Sequence, residues 1–134
     1  MSETHSGDGD AAGDRLYVPD DDHAFPAGKL NDVLAFLDAD EEVQEYLDAQ
    51  NVNPVDRMGY NDHGAKHVEI VRNRALCLYE LLKRGGVAFN ASEQGLDEAD
   101  EAVIVALAAT LHDIGHIVHR DNHAHWSIPL AADV

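Results

Sequence analysis

The chain has 134 residues, with 26 acidic against 9 basic side chains, a formal charge of −17 and a pI near 4.5. That length holds one domain and leaves no room for two. The acid excess opposes binding to a nucleic-acid backbone, which needs Lys and Arg to displace counterions, and it equally opposes docking on an anionic membrane.

Hydrophobic residues make up 45% of the chain and aromatics only 6%, so any core must rest on Ala, Val, Leu and Ile. No apolar run approaches the roughly 18–20 residues that span a bilayer, and the stretch Met1–Gly9 has no apolar signal core. A lone Cys77 has no partner for an internal disulfide and sits between Leu76 and Leu78, where it reads as a small apolar side chain. The expectation is a cytoplasmic protein. The acid is mostly Asp (17 Asp, 9 Glu) and the base is poor in Lys (6 Arg, 3 Lys), the surface expected of a protein living in molar salt. Residues 1–62 carry a net −13 and residues 63–134 only −4, while 7 of the 9 histidines fall in the second part. Acid lies upstream, and the candidate chemistry downstream.

In chain order, residues 1–14 are Gly, Ser, Asp and Ala with little else, and read as disordered. Residues 15–28, with Pro19, Pro26 and Asp20-Asp21-Asp22, read as an irregular lead-in, so the folded domain is expected over 29–134. Asp8 and Asp10 resemble the start of a calcium loop, but Pro19 stands where a bidentate Glu is needed, which excludes an EF-hand. Leu30, Val33, Leu34 and Leu37 mark a first amphipathic helix; Val43, Tyr46 and Leu47 mark a second, ending before Asn53-Pro54. A polar turn over 59–64 leads into a long helix from about Ala65 to Lys83. Its expected core stripe is His67, Val71, Ala75, Leu78 and Leu82, and its expected stop is Gly85-Gly86. After a loop over Val87–Gly95, Asp97 reads as the N-cap of a helix that is apolar nearly all round and so expected to be the most buried, with Gly115 as its stop. A last segment starts near His123. No alternating strand pattern survives, and the fold class is all-α.

The segment Thr110-Leu111-His112-Asp113-Ile114-Gly115-His116 carries the chemistry. A charged Asp pulled inward by Leu111 and Ile114 needs a partner. Helix capping by the His-Asp pair would supply one; a divalent cation would supply another, since imidazole nitrogen and carboxylate oxygen together suit Mn, Fe, Co, Ni or Zn. His63 and His67 are four apart at the head of the long helix, as are His119 and His123 downstream, and five histidines fall within positions 112–125. Other catalytic signatures are absent: no Gly-x-Ser-x-Gly, no phosphate-binding loop and no His-Glu-x-x-His.

These residues resemble the HD superfamily of helical metal-dependent phosphohydrolases, named for its His-Asp pair. Both the run from Tyr60 through His67 to Val71 and the run Leu111–His123 are similar to an archaeal and bacterial branch, and the likeness spans about residues 30–134. The resemblance implies an HD-domain helical bundle. It implies His67 as a metal ligand, His112 and Asp113 as the defining pair with Asp113 able to bridge two metals, His119 and His123 as further ligands, and His63 as a further ligand or supporting partner. It implies one or two divalent ions (Mn, Fe, Mg, Co, Ni or Zn) and, as partner, a small phosphorylated substrate, a nucleotide among the candidates. His116 stands where several members have a Lys that holds or protonates phosphate. With Lys66 and Arg120 it is the expected phosphate-handling set around the catalytic Asp113. Members take a last Asp ligand from a later helix, so the chain is expected to lack the bundle's C-terminal helix or helices. The expected function is hydrolysis of a phosphate ester; the alternative is a catalytically weak module that binds metal or nucleotide and regulates a partner.

Overall fold

A computed structural model of the protein describes residues 23–51 and 64–134. The acidic segment 1–22, most of the polar turn and His63 lie outside the described residues. Among the described residues there is no strand. The elements are α1 (Gly28–Ala39), α2 (Glu41–Asn51), α3 (Ala65–Arg84), α4 (Asn90–Glu93), α5 (Glu98–Leu111), a 3-10 turn (Ile114–Ile117) and α6 (His123–Asp133). The all-α reading holds, and no described helix is long and apolar enough to cross a membrane.

Local chemistry sets the boundaries. Asp40 serves two helices at once: its N–H donates to Phe36 at the end of α1, and its carboxylate accepts from the Val43 N–H (2.9 Å) at the head of α2. The end of α3 is closed by Gly86 at φ +80, with the Val87 N–H donating to Leu82 O and the Gly86 N–H to Lys83 O, both 3.0 Å. That pairing satisfies carbonyls the last turn would otherwise orphan, and the left-handed residue it needs is the reason for a glycine there. Asp97 and Asp100 form a reciprocal capping box at the start of α5. The expected loop over Val87–Gly95 contains one short helical turn, α4.

Helix α3 runs antiparallel to α5, with Tyr79 and Lys83 beside Glu98 and Glu101 at one end and the His67 ring near His112 at the other. Two apolar clusters result. Phe25, Leu30, Leu76, Tyr79, Ala102 and Ala106 fill the first. Leu37, Val43, Leu47, Val68, Leu111 and Ile114 fill the second, which lies under the His-Asp pair.

Two expectations need correcting. The buried face of α3 is Val68, Arg72, Leu76 and Tyr79, one residue round from the expected stripe, and Leu78 is 61% exposed. Arg72 and Lys83 hid that face from a hydrophobicity pattern. Both point inward because anions meet them: Asp38 faces the Arg72 guanidinium at 3.4 Å, and Glu98 and Glu101 lie 3.0 and 3.3 Å from Lys83 Nζ. Glu101 also accepts the Tyr79 hydroxyl at 2.8 Å, and burial together with that carboxylate drives the phenol pKa far upward. Helix α5 is apolar nearly all round but buried on one side only, with Ile104 47% exposed.

The rotated face is testable by substitution. Leu76→Ala, at a fully buried site, should cost about 2–5 kcal/mol of unfolding free energy. Leu78→Ala should change it by no more than about 0.5 kcal/mol. Chemical denaturation of the two variants checks the assignment, and equal losses would overturn it.

Candidate metal centre

The site is built where α5 ends. Its last turn is held by the Thr110 hydroxyl donating to Ala106 O (2.8 Å), and Ile114 is sunk completely into the second cluster. With Leu111 and Ile114 anchored, Asp113 between them is carried inward and is only 6% exposed. A carboxylate so buried is costly unless its charge is met.

Imidazoles surround it. His112 Nε2 lies 3.1 Å from Asp113 Oδ2, while His123 Nε2 lies 3.3 Å and His116 Nε2 4.0 Å from Oδ1. Two of these rings have a fixed tautomer. His112 Nδ1 is 2.6 Å from Ala109 O and His123 Nδ1 is 3.0 Å from Arg120 O; a carbonyl only accepts, so in each ring Nδ1 carries the proton. In the neutral rings Nε2 therefore turns a lone pair toward a carboxylate oxygen, which is repulsive unless a proton or a cation stands between them. Backbone carbonyls that fix imidazole orientation in this way are the usual supports of metal-ligating histidine.

Among the described residues two groups of three donors emerge, His67 with His112 and Asp113, and Asp113 with His116 and His123; within each, one donor atom per residue lies within 4.8 Å of the others. Donors at the ~2.1 Å distance of metal–nitrogen bonds stand roughly 3.4–4.2 Å apart, so small closures suffice for a divalent ion. Asp113 belongs to both groups. The nitrogen and carboxylate donor set fits the first-row metals and Zn expected from the sequence better than an all-oxygen calcium cage.

Placement of the other expected residues follows from the backbone. His119 stands outside both groups: its Nδ1 accepts from the Asp121 N–H at 3.0 Å in an exposed turn. The expected four-residue pairing with His123 requires one helix through both, but Asn122 is left-handed (φ 61) and α6 begins at His123. His116 takes that place. It follows Asp113 by three residues into a 3-10 turn, where side chains three apart eclipse, and its buried ring stacks on His123 at 3.9 Å between centroids. Lys66, on the exposed first turn of α3, has Glu69 at 3.6 Å, and the Arg120 side chain is exposed. His63 lies outside the described residues.

Two positioning residues went unread in the sequence. The Ser127 hydroxyl accepts the Gly115 N–H at 2.9 Å and lies 2.9 Å from both His112 O and His123 O, so one side chain staples α5, the 3-10 turn and α6 together. Gly115, expected to stop α5, is instead needed for close approach: a Cβ there would lie 1.8 Å from His123 O. The one signal for this pair was the spacing, a Ser four residues beyond His123 and twelve beyond a Gly that α5 does not need as a stop.

No family model matches the chain, and no solved structure matches it. The chain is 42% identical over 96 residues to an uncharacterized protein of Methanocaldococcus jannaschii. The match takes in 70% of this chain and 37% of that protein, so the chain spans little more than a third of its relative's length.

Two outcomes test the geometry. Gly115→Ala should displace α6 and destroy cation binding, which calorimetric titration with Mn²⁺ measures; retained affinity would refute the close approach. Asp113 raises the His112 pKa above its ordinary 6.5, mainly through their hydrogen bond and against the opposing effect of burial. In chelator-treated protein the protonated pair therefore stabilises the fold fully below pH 6.5, and that contribution is lost as pH rises through the raised value. Histidine NMR should show His112 titrating above 6.5, and Asp113→Asn should bring it down.

Proposed function

We propose that this chain holds one or two divalent cations and hydrolyses a phosphate ester, with a nucleotide among the candidate substrates. The observation that carries this reading is the double use of Asp113: one buried carboxylate belongs to two donor groups, completed by His67 and His112 on one side and by His116 and His123 on the other. When bound, such ions supply a water acidified toward pKa ~7 and offset charge on phosphoryl oxygens.

The chain's own residues do the rest. His112 and His123, oriented by backbone carbonyls, present Nε2 inward and hold the ligand geometry before any ion arrives. Asp113 supplies one oxygen to each side. Lys66 and Arg120 are the cations placed by sequence beside the donor groups, and both side chains stand at exposed positions from which they would meet phosphate oxygens. The likeness of the His67 and His112-Asp113 segments to the HD superfamily supports the same assignment.

A second reading, a catalytically weak metal- or nucleotide-binding module that regulates a partner, draws support from one observation. Lys66 stands 3.6 Å from Glu69, which reduces the positive charge offered to a phosphate.

One screen separates the two. Phosphomonoesters, phosphodiesters and nucleoside triphosphates are incubated at high salt with Mn²⁺ and either the unaltered chain or Asp113→Asn. Hydrolysis of at least one class should fall by more than the ~10–100-fold that partners of metal ligands typically cost. Rates equal to the variant's on every substrate would favour the regulatory module. Metal content unchanged by His112→Ala would overturn the first reading and the metal-binding form of the second.

A further inference from the structure

An apolar groove of about 470 Å³ opens directly beside His112, between α5 and α6. Leu107, Ala108 and Leu111 form one wall and Ile128 and Ala131 the other, while His112 closes one end and Ser127 lies at the junction. In a chain of −17, no Asp, Glu, Lys or Arg lines it among the described residues. Its size falls in the range of small-molecule sites, roughly 300–1,000 Å³, which combine mostly apolar walls with a few polar groups at one end. The groove also accounts for two apolar residues of α5 that are not fully buried: Leu107 and Ala108 line this space.

We propose that the groove is the subsite for the alcohol half of the substrate, and that this half is uncharged and largely apolar. The assignment rests on the phosphohydrolase reading above and names its substrate class: a phosphate monoester of an apolar alcohol, its phosphoryl group at the His112–Asp113 end and its organic part along Ala108 and Ile128. Two features single out this occupant. The groove abuts the candidate metal centre, because His112 lines one and belongs to the other. Its lining carries no Asp or Glu among the described residues, so in a chain of −17 it sets no like charge beside the phosphoryl group of an anionic ester and offers apolar walls to its organic part. Hydrolysis breaks the bond from phosphorus to the ester oxygen: water supplies a hydroxyl to phosphorus, and the leaving oxygen takes a proton to become the alcohol, which remains in the groove until release.

The test compares two non-hydrolysable phosphonates with the same head group, (2-naphthylmethyl)phosphonate and methylphosphonate, on Mn²⁺-loaded protein. The naphthyl compound should bind at least about tenfold more tightly, a modest share of what burial of a two-ring group brings. Ala108→Phe, an exposed position where a larger side chain fills the groove, should reduce that preference below about threefold and leave methylphosphonate affinity unchanged; Ala108→Ser should keep the preference. In metal-free protein 2-naphthol should bind the unaltered chain and not Ala108→Phe.

The outcomes are distinct. A preference that responds to Ala108→Phe in a protein hydrolysing no ester upholds the groove and removes the phosphohydrolase reading. Ester hydrolysis with both phosphonates bound alike removes the groove assignment and leaves that reading standing. If neither phosphonate binds, the assignment of the groove to a phosphate ester is overturned, and 2-naphthol binding lost in Ala108→Phe would show only an apolar pocket. A concentration-dependent dimer that Ala108→Phe dissociates, seen by sedimentation, would make the groove an interface between copies and overturn the proposal.

Discussion

The arrangement around the His-Asp pair depends on one buried negative charge. Asp113 is carried inward because its neighbours Leu111 and Ile114 are core residues, and a carboxylate in that position must be met by positive charge. His112, His116 and His123 converge on its two oxygens from three different pieces of backbone: the end of α5, the 3-10 turn and the start of α6. Bringing those pieces together is the task of Ser127 and Gly115, which make no use of charge. The site thus has an electrostatic centre and a frame of backbone hydrogen bonds around it, and the frame is what gives two of the imidazoles a defined tautomer before any cation binds.

Much of this was legible in the sequence, for identifiable reasons. Helices α1, α2, α3 and α5 announce themselves because apolar spacing, Asp97 as a cap and Gly85-Gly86 as a stop all agree with one another. The failures share a cause as well. The inward face of α3 contains Arg72 and Lys83, and a pattern that sorts residues by hydrophobicity sends both to solvent. Only Asp38, Glu98 and Glu101, outside α3, reveal that their charges are met where they turn inward. At the site, His67, His112, Asp113 and His123 were legible as residue types at suggestive spacings. His116 lies in a donor group and His119 outside both, because one left-handed Asn122 and one 3-10 turn decide which imidazole turns inward, and neither leaves a periodic trace. Ser127 was invisible for the same reason: its partners are backbone atoms.

Charge distribution sets a further constraint. The net −4 of residues 63–134 holds the described cation donors, while the greater part of the acid lies upstream. One ion pair of this second part is enclosed in the fold: Glu101 lies 3.3 Å from Lys83 Nζ and also accepts the Tyr79 hydroxyl. Ion pairs so enclosed are screened less by salt than exposed ones. That difference grows with salt concentration, because mobile ions weaken exposed pairs first.

Asp40 closes α1 and opens α2 within a single residue. Such a joint has no slack. One inserted residue there would divide the two bonds that Asp40 makes and free α2 to shift against α1. Val43 and Leu47 would then leave the cluster they share with Ile114, and the floor beneath the His-Asp pair would go with them. Among homologous chains, length should accordingly drift in the stretch between α3 and α5 and stay constant at the α1–α2 joint. A short gap in an alignment at position 40 would therefore mark a chain whose cation site has been rebuilt or abandoned.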